Sequence, residues 1–255
     1  MRFDNFGNLL FSAAALLLPT VVDAQVALGS GCGALTQLNG QQQSVVLGKA
    51  ASAGQWIIVS VTVNNTFAQF DATNPVTDSA GNHYATYGTT GLAGGTGFIA
   101  TFAGRATNVV NAGASIIVNY TTSGSLSAQS CVAASSFSGV LALSDPGDVV
   151  STAAGAGSDW YIEADAPGQH ANDLVYVVFA SADGSGNISP LYPAQPLGQI
   201  CSTDAPLCML PAWNFGYRTP GNYESAEALS DSSARWGASV VTFQSNDRIF
   251  GDGFE

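Results

Sequence analysis

The sequence predicts an all-β fold, an antiparallel β-sandwich of jelly-roll or immunoglobulin-like type, and three observations carry that expectation. Apolar residues recur at period two: in QWIIVSVTV (55–63) Ile57, Val59, Val61 and Val63 share one side while Ser60 and Thr62 take the other, the pattern of a strand with one face in a core. Clusters of Gly, Ser, Asn and Asp, such as DSAGN (78–82), GLAGGTG (91–97), TTSGS (121–125), DPGD (145–148), GAGSD (155–159) and DGSGN (183–187), separate these runs as turns would. No long stretch repeats its apolar residues at three and four, so the crossover helices of a parallel α/β fold are missing.

Taken in chain order, SVVLG (44–48) and QWIIVSVTV are the first strands. GFIATFAGR (97–105) follows, with Phe98, Ala100 and Phe102 on one face, then SIIVNY (115–120) and SAQSCVAASSF (127–137). DWYIEA (159–164) is next, and DLVYVVFASA (173–182), apolar almost throughout, reads as a central strand covered on both faces. Residues 185–211 hold Pro190, Pro193, Pro196, Pro206 and Pro211 and form the longest irregular stretch, of a length that is often functional. The final strands are NYESAEAL (222–229) and RWGASVVTFQ (235–244).

The first residues combine Arg2, an apolar run from Leu9 to Val22 and the small-residue site Val22-Asp23-Ala24. This is the pattern of a secretory signal peptide cleaved after Ala24. It lacks the length and basic flank of a membrane anchor, and no later stretch is apolar enough to span a bilayer. The organisation expected is therefore a signal peptide (1–24), a single β-sandwich domain (25–244) and a flexible C-terminal tail (245–255).

The chain has 6 basic and 18 acidic residues and a net charge of −12, and Lys49 is its only lysine. Nucleic-acid binding needs clustered Lys and Arg to release counterions, so nucleic acid is not an expected partner. The four cysteines, Cys32, Cys131, Cys201 and Cys208, are an even count in a chain bound for an oxidising compartment. Three pairings exist; the one that closes the short loop CSTDAPLC, Cys201 with Cys208 and Cys32 with Cys131, is expected. Zinc would ask for a C-x-x-C pair or a histidine near a cysteine, and the sequence has neither.

Four segments in order, VTDSAGNHY (76–84), SSFSGV (135–140), ANDLVYVVFAS (171–181) and SSARWGASVVTFQ (232–244), resemble a β-sandwich domain common in secreted and cell-surface bacterial proteins. In that family a strand leads into a D-S-A-G-N hairpin, an F-S-G turn follows a mid-domain strand, and N-D-L-V opens a central strand. The resemblance spans Trp56 to Gln244. It implies a sandwich without established catalytic activity, built into adhesins and extracellular enzymes as an accessory module, and it transfers no functional residue. Ser136 stands where the family would place an acid before the Phe of F-S-G. Read physically, Asp78 accepts from backbone N–H groups two residues on, while Gly81 and Asn82 tolerate the positive φ of a tight turn.

Catalytic signatures are sparse. There is no G-x-S-x-G and no H-E-x-x-H; His83 and His170, the only histidines, sit beside turns. A glycosidase needs only two carboxylates, and Glu163 with Asp165, or Glu224 with Glu227, supply acids on strand faces that otherwise read as solvated edges. Asp183, Ser185 and Asn187 match the first positions of a calcium loop, but Ile188 stands where Gly is required and no closing Glu follows. No cofactor is expected, and calcium is only weakly indicated. Trp213, Phe215 and Tyr217 alternate in PAWNFGYR (211–218), with Arg218 following, so an exposed face there would stack on sugars and a buried one would be core.

The function expected first is that of a non-catalytic secreted protein, structural or adhesive, at or outside the surface of a Gram-negative cell, with the periplasm as alternative. A carbohydrate-binding module comes second and an extracellular hydrolase third; the partners implied are an extracellular glycan or a surface protein. The tail SNDRIFGDGFE resembles a short I-F-x-x-G-F-E ending of many secreted proteins of certain Gram-negative bacteria. That implies a signal in Arg248, Ile249, Phe250, Gly253, Phe254 and Glu255, read by secretion or sorting machinery.

Overall fold

The computed structural model describes residues 26–35, 41–121, 128–141, 147–165, 173–183, 186–191, 193–215 and 224–244. The leader (1–24), the tail (245–255), His170, Ser185, Tyr217 and Arg218 lie outside them. The described chain is an all-β sandwich of antiparallel sheets. Its one helical turn among these residues is a 3-10 turn at Ala93–Gly95, and no helix there is long and apolar enough to cross a membrane.

Eight strands form two sheets: β1 (Val26–Leu35), β2 (Gln41–Val46), β3 (Trp56–Val63), β4 (Val76–Asp78), β5 (Ala85–Gly91), β6 (Phe98–Arg105), β7 (Ser115–Tyr120) and β8 (Ala128–Phe137). One has five strands in the order β1-β8-β3-β6-β5, the other three in the order β2-β7-β4. The remaining strands are β9 (Gly147–Glu163), β10 (Leu174–Ser181), β11 (Ile188–Pro190), β12 (Gln195–Pro196), β13 (Ile200–Cys201), β14 (Cys208–Phe215) and β15 (Ser225–Phe243). They make a seven-stranded sheet, β11-β15-β10-β14-β12, with β9 on β15 and β13 on β14.

Strand periodicity dictates how the sheets stack. Ile57, Val59, Val61 and Val63 of β3 pack with Ile116, Val118 and Tyr120 of the three-stranded sheet, as the alternation predicts. The opposite face of β3 is covered too: Trp56 and Ile58 join Tyr176, Val178 and Phe243 of the seven-stranded sheet. Ser60 and Thr62 are therefore fully buried and not solvent-facing. Their hydroxyls are partnered, as burial requires: Ser60 Oγ lies 2.6 Å from the Tyr176 hydroxyl and Thr62 donates to the Phe98 carbonyl at 3.2 Å. The five-stranded sheet is thus the middle of three layers. On the far side of the third layer, Val175, Val177 and Phe179 pack with Trp160, Ile162 and Trp236, so β10 is apolar on both faces and central, as its composition predicts.

Both disulfides form as expected, Cys32–Cys131 and Cys201–Cys208. Each joins direct register partners, across β1/β8 and β13/β14. Two disulfides place the chain in an oxidising environment, extracellular or periplasmic.

Three predicted turns are something else. GAGSD does not end a strand but lies inside β9, which pairs with β15 on both sides of it. A side chain at Gly155 would meet the Trp236 ring of the neighbouring strand, and Gly157, at φ 130°, sits where the register shifts between Leu229 and Ala234. The glycines serve a covering ring and a bulge. DGSGN is not a hairpin either, since β10 and β11 follow one another along the same edge of β15. Here Asp183 is bound to Arg235, with Nη2 2.6 Å from Oδ1, and the guanidinium holds the carboxyl below the usual carboxylate range. DSAGN turns the chain from β4 in one sheet to β5 in another, so it connects layers and closes no hairpin. Asp78 Oδ1 does accept from the Ala80 N–H at 2.8 Å, and Gly81 takes φ 74°.

The proline-rich stretch is laid down as short strands at the sheet edge. Pro211 pairs with Val178 of β10 while its carbonyl accepts from the Leu197 N–H at 2.9 Å. Its nitrogen thus faces the same way, toward the edge, where a missing N–H does not break the β10 ladder.

Candidate binding cleft

A cleft of about 570 Å³ lies at one end of the middle layer, between residues 66–75 and the β5–β6 turn. Polar bonds fix the first wall. Asn64 Oδ1 accepts from the Gln129 N–H at 2.7 Å, and Asn65 Oδ1 from the Phe67 N–H at 2.8 Å. Thr121 N–H donates to the Gln69 carbonyl at 2.8 Å and Asp71 N–H to the Asn119 carbonyl at 3.0 Å, which lays Phe70 against Tyr120 at the end of β7. Asp71 then closes the loop by accepting at Oδ1 from the N–H groups of Asn74 and Thr73, both at 2.8 Å. Those two donors lower its pKa below the ordinary aspartate value, so it stays ionised in neutral solution.

The second wall depends on a glycine. A Cβ at Gly97 would collide with the Val63 carbonyl oxygen, so only glycine lets the β5–β6 turn lie this close to the end of β3. Leu92 N–H closes the turn on the Gly97 carbonyl at 2.8 Å.

The floor is apolar: Ala68 and Phe98 are buried, and the half-buried Phe70 ring sits edge-on to Phe98 and Phe102, at 5.4 and 4.9 Å between centroids. The rim is polar, with Thr66, Gln69, Thr86 and Thr89 all exposed and the ionised Asp71 beside them. Phe67, between two lining residues, exposes 69% of its surface. An apolar floor with a few convergent hydroxyl and amide groups is the ordinary build of a small-ligand site, and the volume falls within the usual range.

The residues singled out from the sequence lie elsewhere. Trp213 on β14 is half-buried and packs on the core between the second and third layers, its ring 6.2 Å from that of Phe137. Phe215 ends β14, while Tyr217 and Arg218 fall outside the described residues. Among the acids, Glu163 accepts from the Tyr161 hydroxyl at 2.8 Å and is the register partner of Ser225, and Glu227 is that of Tyr161. Glu224 is buried. The described His, Cys, Asp and Glu side chains form no group of three or more able to hold a metal ion.

Sequence reading missed the cleft because its walls come from stretches of Thr, Ala, Gly and Gln without a chemical signature. Phe67 and Phe70 bracketing Gln69 were the available signal, in a loop with no core period. Compared with protein-family models, curated proteins and solved structures, the chain matches none of them, so its geometry carries the functional argument.

Proposed function

We propose that this chain is a secreted, non-catalytic β-sandwich that acts in adhesion outside a Gram-negative cell by holding a glycan in the cleft over Phe70. The observation that carries this reading is the cleft itself: a ring-lined apolar floor, a rim rich in hydroxyl and amide groups with one carboxylate, Asp71, and the exposed Phe67 ring at its edge. Sugars present one apolar face and many hydroxyls, and aromatic stacking with neutral hydrogen-bonding groups matches both. Delivery to the cell exterior is supported by the signal-like leader and by the I-F-x-x-G-F-E tail. A hydrolase at this position is less well supported, since the one lining carboxylate is Asp71. A glycosidase acid works at a raised pKa beside a second carboxylate, whereas Asp71 is held ionised by two backbone donors.

A glycan array probed with the chain from Gln25 onward tests this. Binding that is weakened about tenfold or more by Phe67→Ala and abolished by the space-filling Thr89→Trp, with unchanged thermal midpoints, is the expected result. Absence of any glycan binding, or binding indifferent to both changes, would overturn it.

A further inference from the structure

A second hollow, of about 320 Å³, lies on the opposite face of β5. Side chains alternate along a strand: Thr86 and Thr89 line the cleft, while Ala85 and Tyr87 line this hollow, with a register shift between Thr86 and Gly88 setting the spacing. Trp56, Tyr84 and Tyr87 are among the residues that line it, together with the exposed His83 and Arg105. In a chain of net charge −12 with 6 basic residues, two cationic or donor side chains on one small hollow are a marked concentration.

The fold puts them there by specific means. A Cβ at Gly104 would collide with the His83 carbonyl oxygen, so glycine brings the backbone of residue 83 against β6 next to Arg105. Both neighbours of His83 are tied inward. Buried Asn82 accepts at Oδ1 from the N–H groups of Thr107 and Asn108, at 2.8 and 3.0 Å. Tyr84 donates its hydroxyl to Asp78 Oδ2 at 2.7 Å. His83 between them is left exposed on the rim.

Arg105 has no carboxylate partner among the described residues, in contrast to Arg235, which is bound to Asp183. The carboxylate in this network is that of Asp78. Its two oxygens already accept from Ala80 N–H, Asn82 N–H, Asn82 Nδ2 and Tyr84 OH, at 2.7 to 3.2 Å.

We propose that this hollow is a subsite for the carboxylate of an acidic sugar. The Arg105 guanidinium would grip it in a two-pronged contact, His83 would donate to it, and the sugar ring would lie against Tyr87. A planar fork of N–H donors matches a carboxylate in a way a lysine does not, and a histidine keeps at least one N–H to donate in either protonation state. The inference deepens the glycan reading above and rests on it for the sugar; the anion contact rests on Arg105 and His83 alone. Because the chain as a whole repels anions, the attraction is short-ranged, and 0.15 M salt, which screens charges beyond about 8 Å, leaves it in place.

Calorimetric titration with digalacturonate, its neutral dimethyl ester and inorganic phosphate, run on the wild type, Arg105→Gln, Arg105→Lys and Thr89→Trp, tests the proposal. Digalacturonate is expected to bind more tightly than its ester. Arg105→Gln should weaken it by about tenfold to a hundredfold, the range of a lost charge-assisted pair, and Arg105→Lys should restore only part. Arg105 is exposed, so unchanged thermal midpoints are expected and would confirm that folding is intact. Equal binding of acid and ester, or digalacturonate binding unaffected by Arg105→Gln, overturns the subsite. Arg105-dependent binding of phosphate in place of digalacturonate overturns the sugar as source of the anion. If ester binding is lost in Thr89→Trp while Arg105→Gln changes nothing, the cleft reading stands and this one falls.

Discussion

The hydroxyl pair joining the middle layer to the third gives the sharpest test of the fold. Ser60 Oγ and the Tyr176 hydroxyl are 2.6 Å apart, and both residues are fully buried. Tyr176→Phe would strand the Ser60 hydroxyl, and Ser60→Ala would strand that of Tyr176. A buried polar group left without its partner costs about 1–3 kcal/mol, so each single change should destabilise the protein by about 2 kcal/mol. The double variant removes both groups and strands neither, and should lose only about 1 kcal/mol, the net worth of one hydrogen bond. The expected coupling is then about 3 kcal/mol, large for a single pair. Urea unfolding followed by tryptophan fluorescence measures all four proteins, provided the slope m is constant. If the double variant loses the sum of the two single losses, the hydroxyls are not each other's partners and the stacking of β3 on β10 is mistaken.

Two further outcomes follow from covalent and ionisable groups. The Cys32–Cys131 bridge spans 99 residues and Cys201–Cys208 spans 7, so chain entropy assigns roughly 4.7 kcal/mol to the first and about 2.5 kcal/mol to the second; the paired Cys→Ala variant at 32 and 131 should lower the urea midpoint more than that at 201 and 208, and the reverse would refute loop length as the cause. Burial raises the pKa values of Tyr84, Tyr120 and Tyr176, with Asp78 adding to the effect at Tyr84. In the unfolded chain these hydroxyls ionise near pH 10 while in the fold they stay protonated, so their stabilisation is full below about pH 10 and is lost as pH rises beyond it, at about 1.4 kcal/mol per pH unit for each tyrosine. Stability measured from pH 9 to 11.5 should bend downward near 10 with a shallower limb in Tyr176→Phe, and a flat profile would show that solvent reaches these hydroxyls in the fold.

The elements legible in the sequence are those whose side chains alternate or are apolar throughout. β3, β6, β7, β8 and β10 fall within a residue of their expected bounds because Val, Ile and Phe report burial directly. β1 and β5, VALGSGCGAL and ATYGTTG, are built of small residues whose pairing depends on neighbours distant in sequence, so no local period marks them. Glycine misled in β9, since a residue that opens a turn also leaves room for a ring such as that of Trp236. The same ambiguity hid the sites. Gly97 and Gly104 read as punctuation, yet each brings two backbones together and so shapes a hollow. His83 was visible only as a residue beside a turn, and its nearness to Arg105 is a property of β6. The aromatic alternation at Trp213 and Phe215 lies on β14, whose first residues fall in the stretch expected to be irregular, and period alone does not say which side of a strand faces a second sheet.

That the five-stranded sheet is covered on both faces has a consequence for how the molecule comes apart. A sheet with one wet side can shed its single covering layer and persist as a partly folded remnant. Here neither outer layer can detach without exposing a buried face of the middle one, where every side chain of β3 is buried. The backbone amides at the heart of β3 should therefore exchange with solvent only when the whole molecule opens, which makes the middle sheet the slow clock against which local breathing of the outer ones can be timed.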